Sequence, residues 1–222
     1  NFKANEIIQG EKAGDIFYRN TGIPPADHNI VINSIEVIKK NNENLGLGKP
    51  GRLGDELHAM GLKTAVIGNA DLPGYYSRTG PLIVMDSRGI IDNGFTGKEV
   101  VEKSSPLLFS SNYHAILQAY KNVNDYDVVL IDFGDLARLD QLGSLFSNEQ
   151  SQKERIKRLQ AIDACIGNLQ KQVDNNSIIY VISPTPSRAA FEQGELLTPL
   201  IIDKPGFTGV LTSYSTRREG IV

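Results

Sequence analysis

The apolar and polar positions of the chain change rhythm several times. Residues 27–41, "DHNIVINSIEVIKKN", place Ile32, Ile35 and Ile38 at helical spacing and run out into polar "KKNNEN". "LGLGKPG" is a loop by its Gly and Pro content. "RLGDELHAMG" puts Leu53, Leu57 and Met60 on one helical face, with Gly61 as a C-cap. "KTAVIGNAD" predicts a buried strand running into a turn, and "PLIVMDSRG" a second strand ending in one. The later part of 106–122 predicts a helix carrying Ile116, Leu117 and Tyr120. "YDVVLIDF" is the clearest buried strand, an unbroken and mostly β-branched apolar run flanked by Asp. Over 151–173, Ile156, Leu159, Ile162, Ile166, Leu169 and Val173 recur at three and four, with Lys and Arg opposite. "SIIYVIS" predicts another buried strand, and "LTPLII" and "GVLTSYST" predict shorter ones.

Strand and helix alternating in this order predict an α/β fold with a mostly parallel central sheet and helices on both faces. Ligand sites in such sheets lie beyond the carboxyl ends of the strands. That rule selects "GNAD", "MDSRG", "DFGDLARLD" and "SPTPSR". No internal repeat or low-complexity tract is present, so residues 1–222 are read as one domain. The chain starts at Asn1 rather than Met and ends on apolar "REGIV", which reads as truncation at both ends.

Composition adds little. A 222-residue chain with 40% hydrophobic and 22% charged residues is ordinary for a globular protein and long enough to form a core. Twenty-three basic residues against 26 acidic ones, with no basic cluster longer than "TRR", argue against nucleic acid as a partner. No window resembles a membrane span or a signal peptide. Cys165, the single cysteine, sits among apolar helix positions and reads as a small buried residue. The compartment is left open, with envelope, extracellular and cytoplasmic settings all compatible.

"KTAVIGNAD" followed by "RTGPLIVMDSRGIIDNG", then "IIYVISPTPS", "LTPLII" and "GVLTSYSTRREGIV", resembles a bacterial branch of the alkaline phosphatase superfamily. Cofactor-independent phosphoglycerate mutases and nucleotide pyrophosphatases belong to the same superfamily. The order of segments agrees over roughly residues 45 to 222. The resemblance implies two divalent ions, zinc or manganese, that activate a Ser or Thr nucleophile and clamp a phosphate. It also implies that the nucleophile segment precedes this chain, which would then be an internal fragment.

The resemblance further implies an Asp and a His after strand 128–132, an Asp–His pair after strand 178–183, and a later His. The first strand is followed by Asp132, Asp135 and Asp140, with Arg138 among them and no His. The second leads into "SPTPSR", poor in zinc ligands. His28, His58 and His114 lie in three other segments. A two-zinc site cannot be assembled from these residues. A carboxylate-only magnesium or manganese site at Asp132, Asp135 and Asp140 is conceivable. The competing and favoured reading makes Asp135 a helix cap and pairs Arg138 with Asp135 or Asp140. Asn69, Asp71 and Arg78 are candidates for phosphate or sugar recognition, or for an Asx-type turn. "MDSRG" reads as a tight turn. Arg217 and Arg218, beside Ser215 and Thr216, could bind an anion or pair with a loop aspartate. Ser183, Thr185 and Ser187 lack a base, and Pro184 and Pro186 make "SPTP" a rigid strand exit.

The expectation is an alkaline-phosphatase-like domain with a lost or altered metal site. It would be non-catalytic and bind a phosphate- or sugar-bearing small molecule, without a firm cofactor. The alternative is a phosphoesterase or phosphotransferase, active at full length, using Mn, Zn or Mg. A sheet lacking a central strand would also expose edges prone to self-association.

Overall fold

A computed structural model describes residues 1–204 and 206. The chain divides into two compact units, Asn1–Cys165 and Ile166–Val222. The first opens with β1 (Phe2–Lys3), the hairpin of β2 (Ile7–Ile8) and β3 (Glu11–Lys12), α1 (Ala13–Thr21) and β4 (Ile30–Val31). It continues through α2 (Ile35–Asn44), α3 (Arg52–Ala59), β5 (Thr64–Asn69), α4 (Pro81–Val84), β6 (Ile90–Ile91) and β7 (Asn93–Phe95). The hairpin of β8 (Val101–Ser104) and β9 (Leu108–Ser111) leads to α5 (Tyr113–Lys121), β10 (Val128–Phe133) and α6 (Asp135–Gln141). Helix α7 (Asn148–Leu169) runs across the division. The second unit adds β11 (Ile179–Ile182), α8 (Arg188–Glu192) and β12 (Leu200–Asp203).

The protein is mixed α/β. Among the described residues one sheet is parallel, in the order β10-β5-β7. Every residue of β5 is buried, which is why its sequence shows no polar alternation. Successive side chains of a strand point to opposite faces, and two cores result. Val66, with Val128 and Leu130, packs among Phe17, Val31, Ile35 and Ile91. Ala65 and Ile67, with Val129 and Ile131, pack against Ile116, Ala119 and Val123.

Register places Asp132 opposite Gly68 and Phe133 opposite Asn69. The two strand ends approach unusually closely. Gly68 has φ +103°, and a Cβ there would lie 2.1 Å from the Asp132 carbonyl oxygen. A Cβ on Gly134 would lie 2.1 Å from that of Asn69. Only glycine fits either place.

Several expectations need correction. "PLIV" is the short helix α4, with Pro81 in its first turn, and "MDSRG" is the turn that follows it. Residues 30–31 form a strand, so the predicted helix over 27–41 begins only at Ile35. In α3 the buried positions are Gly54 and Leu57, while Leu53 and Met60 are exposed. Helix α7 buries Glu154, Arg158, Cys165 and Leu169 and leaves Ile156 and Leu159 exposed. The two are paired, Arg158 Nη2 donating to Glu154 at 3.2 Å and to Ser104 at 3.3 Å, while its Nε is buried without a partner.

The second unit holds β11 and β12 paired antiparallel, Ile179 opposite Asp203 and Ile182 opposite Leu200. The sequence predicts a buried strand of a parallel sheet at β11; its partner is instead the nearby β12, and Tyr180 and Ile182 are exposed. The predicted strand "GVLTSYST" lies outside the described residues. Cys165 is buried as expected, and burial pushes its thiol up to about 11.

Candidate functional site

The carboxyl ends of β5 and β10 lie side by side, and the polar residues just beyond them form one buried network. Arg138, one turn into α6, is its centre and is fully buried. Its Nη2 donates to the Asn69 carbonyl at 2.7 Å and to Asn69 Oδ1 at 3.2 Å. Its Nε donates to the Asp71 carbonyl at 3.0 Å. Its Nη1 reaches Ser111 Oγ at 3.4 Å and Asp135 Oδ1 at 3.3 Å. One guanidinium therefore ties together the end of β5, the end of β9 and the start of α6. A planar fork with five N–H donors suits such convergent carbonyls better than a lysine would.

Asp135 is fully buried. It is the first residue of α6, but its side chain does not cap that helix. Oδ1 accepts from the Ser111 amide at 2.9 Å, and Oδ2 accepts from the Tyr113 hydroxyl at 2.7 Å. The cap assignment is corrected accordingly: the orphan donor that Asp135 satisfies belongs to β9, across the fold. Burial, followed by the bond to Asp135, drives the Tyr113 phenol far above its ordinary range. Burial also lowers the Arg138 guanidinium, against the pull of Asp135, Asp71 and Asp132.

Asn69 makes the Asx-type turn, accepting the Asp71 amide at 2.9 Å. Its Nδ2 donates to the carbonyls of Thr96 and Gly97 at 2.9 and 3.0 Å, fixing the loop after β7. Asp71 accepts from Arg78 at Nε (2.9 Å) and Nη2 (2.8 Å), and Arg78 also grips Glu6 at 2.9 and 3.2 Å. The Arg78 guanidinium lies 4.6 Å from the centre of the Phe2 ring and 5.1 Å from that of Tyr76. Here the bonds to Asp71 and Glu6 outweigh burial and raise the guanidinium's pKa, the opposite of Arg138.

The structure thus brings Asn69, Asp71, Arg78, Asp135 and Arg138 into one neighbourhood, with Asp132 beside it. Burial raises the Asp132 carboxyl above the usual range. The Gly80 amide and the Arg138 charge oppose that rise, and the Asp71 charge adds to it. Asp140 turns away and ion-pairs with Arg155. The three carboxylates read as a metal set are therefore engaged separately. No group of three or more His, Cys, Asp or Glu side chains among the described residues is arranged to hold a metal ion. Arg217 and Arg218 lie outside the described residues.

Sequence reasoning missed Glu6, Ser111 and Tyr113, which join the network from 24 or more residues away from the side chains they meet or nearly so. His58, read from the sequence as outside any shared metal site, lies at the opposite end of β5 with carboxylate partners that its spacing did not show. There His58 Nε2 lies 2.9 Å from Asp92 Oδ2, and Nδ1 lies 3.5 Å from Asp86 Oδ2. Asp92 accepts the Thr64 amide, and Asp86 accepts those of Arg88 and Ile90. The predicted tight turn at "MDSRG" is built this way. Ser183 donates to the Thr185 carbonyl, and Ser187 caps α8.

No family model matches the chain, and no curated protein and no solved structure matches it either. No helix among the described residues is long and apolar enough to cross a membrane.

Proposed function

We propose that the chain is an alkaline-phosphatase-like module that does not hydrolyse phosphoesters and instead binds a phosphate- or sugar-bearing small molecule. In this reading β5, β10 and β7 belong to a mostly parallel central sheet with helices on both faces. The observation that carries the proposal is the fully buried Arg138 guanidinium, bonded to Asp135, Asn69 and the Asp71 carbonyl. A cation built into the chain stands against Asp135, one of the three carboxylates that a divalent ion would need. It occupies an Asp135 oxygen and would repel the ion.

Metal analysis of the purified chain, together with assays on aryl phosphate mono- and diesters in added Zn, Mn or Mg, tests this. The expected result is metal well below one ion per chain and no turnover. Two tightly bound ions with turnover would overturn it.

Asp132 favours one second reading, a metal-dependent phosphoesterase or phosphotransferase. It is the carboxylate at this sheet edge that no arginine side chain binds directly, and burial keeps it poorly solvated. Manganese-dependent turnover abolished by Asp132→Asn, in a variant that still folds, would select that reading.

A further inference from the structure

β10 has the sequence of an interior strand and the position of an edge strand. Its run of Val128, Val129, Leu130 and Ile131 is unbroken and apolar, the pattern of a parallel strand covered on every side. Its neighbour β5 has that environment and is buried throughout. β10 stands at the end of the sheet order, pairs with β5 alone among the described residues, and is half-buried at all six positions.

The register shows which backbone groups are left over. The Val128 amide donates to the Lys63 carbonyl at 3.1 Å, on the β5 side. Backbone groups of successive strand residues point to opposite edges. Those of Leu130 and Asp132 therefore face β5, and those of Val129, Ile131 and Phe133 face outward. No bond to these outward amides and carbonyls is formed among the described residues.

Nothing blunts this edge. From Val128 to Ile131 it carries no charge, no proline and no bulge, the devices by which open edges avoid pairing. Both faces are apolar and packed. Val128 and Leu130 lie on the core of Phe17, Val31 and Ile35, and Val129 and Ile131 on that of Ile116 and Val123. The strand that fits beside β10 is therefore itself apolar on both faces.

β10 meets that description, and its charges allow it to pair with itself. Opposite residues of an antiparallel pair share a sheet face, so a two-fold axis must fall on a residue. Placed on Leu130, the axis sets Val129 against Ile131 of a second copy and Asp132 against its Val128. The two Asp132 carboxylates then stand at opposite ends of the run. Asp127 is drawn to the β5 side by the Lys63 amide, at 2.8 Å. No carboxylate is set opposite another.

We infer that the outer edge of β10 binds the β10 of a second copy of this chain, antiparallel, through the backbone groups of Val129 and Ile131. The three-stranded sheets of two copies become one continuous sheet. A single two-fold contact fills both open edges and sets like face beside like face.

Sedimentation of the full 222-residue chain tests it, over a range of about 1 to 200 µM that covers weak to moderate self-association. The mean mass should rise about twofold, from one chain to two. Residue-resolved hydrogen exchange on the same samples should show the Val129 and Ile131 amides slowing about tenfold or more at the high end. Val129→Pro removes one outward N–H, a change that edge strands accept, and should hold the chain monomeric. If that variant does not fold, mass and exchange on the parent decide alone. The inference is overturned if the mass stays that of one chain, or if a dimer forms while these amides exchange as fast as when dilute. It is overturned equally if they are protected to the same degree at every concentration, which would mean that a segment of the same chain covers the edge, or if folded Val129→Pro dimerises like the parent. None of these outcomes depends on the phosphoesterase assay.

Discussion

Arg138 Nη2 donates to the main-chain carbonyl of Asn69 across 2.7 Å, joining residues 69 positions apart. This bond and its companions close the carboxyl edge of the parallel sheet. Substituting Arg138 by Met would leave Asp135 buried and without its countercharge. Removing one partner of a buried pair costs about 3–5 kcal/mol, and the orphaned carbonyls of Asn69 and Asp71 add to it. Urea denaturation should show that loss. Arg138→Lys should recover only part of it, because an ammonium cannot span Asn69, Asp71 and Asp135 together.

Tyr113→Phe isolates one bond of the same network. The hydroxyl donates to Asp135 Oδ2 at 2.7 Å, and the ring packs near Phe133 with centroids 6.2 Å apart. Phenylalanine keeps the packing and removes the donor. A hydrogen bond to a charged group contributes about 1.5–3 kcal/mol. The variant should lose stability in that range while its circular dichroism stays unchanged. A loss below about 0.5 kcal/mol would mean that Asp135 finds another donor.

Asp132 carries a pH-dependent prediction. Its carboxyl is raised chiefly by burial, so the folded state holds the proton more tightly than the unfolded chain does. Between the unfolded value of about 3.9 and the raised folded value, the native state binds more protons. Stability from this group is then full below the unfolded value and falls as pH rises through the folded one. Asp132→Asn removes the titration and keeps an oxygen for the Gly80 amide. It should be more stable than the parent at neutral pH, with the gain shrinking below about pH 4. Melting curves at several pH values check this. An equal effect at every pH would show that Asp132 ionises without penalty.

The strands at the centre of this site were legible because β5 and β10 are unbroken apolar runs ending in polar residues. The same rule misled at "PLIV", where four apolar residues form a short helix; a run of that length carries no period, and Pro81 was the local sign. The apolar stripe of α7 pointed to Ile156 and Leu159, yet Glu154 and Arg158 are buried as an ion pair four residues apart. Asn69, Asp71, Arg78, Asp135 and Arg138 could be selected as residues beyond strand ends, and the structure brings them together. Their partners could not. Asp135 meets the Ser111 amide and Tyr113, contacts made by folding rather than by spacing, and local capping rules assigned it to its own helix instead.

The close approach of Gly68 to Asp132 gives the sharpest test of the paired strand ends. Gly68 combines a φ of +103° with a position where a Cβ would meet the Asp132 carbonyl oxygen at 2.1 Å. Alanine there faces two penalties: a backbone conformation that L residues avoid, costing about 1–3 kcal/mol, and a clash with main chain that cannot rotate away. Gly134→Ala has an ordinary φ of −71° and meets only a clash, but a more crowded one, with the Asn69 carbonyl oxygen at 2.1 Å, Ala70 Cα at 2.5 Å and the Asn69 carbonyl carbon at 2.7 Å. Both variants should be strongly destabilised, Gly68→Ala through backbone strain and one contact, Gly134→Ala through crowding alone. Thermal unfolding of the two side by side measures both losses. If Gly68→Ala melts at the parent's temperature, β5 and β10 do not meet at this register.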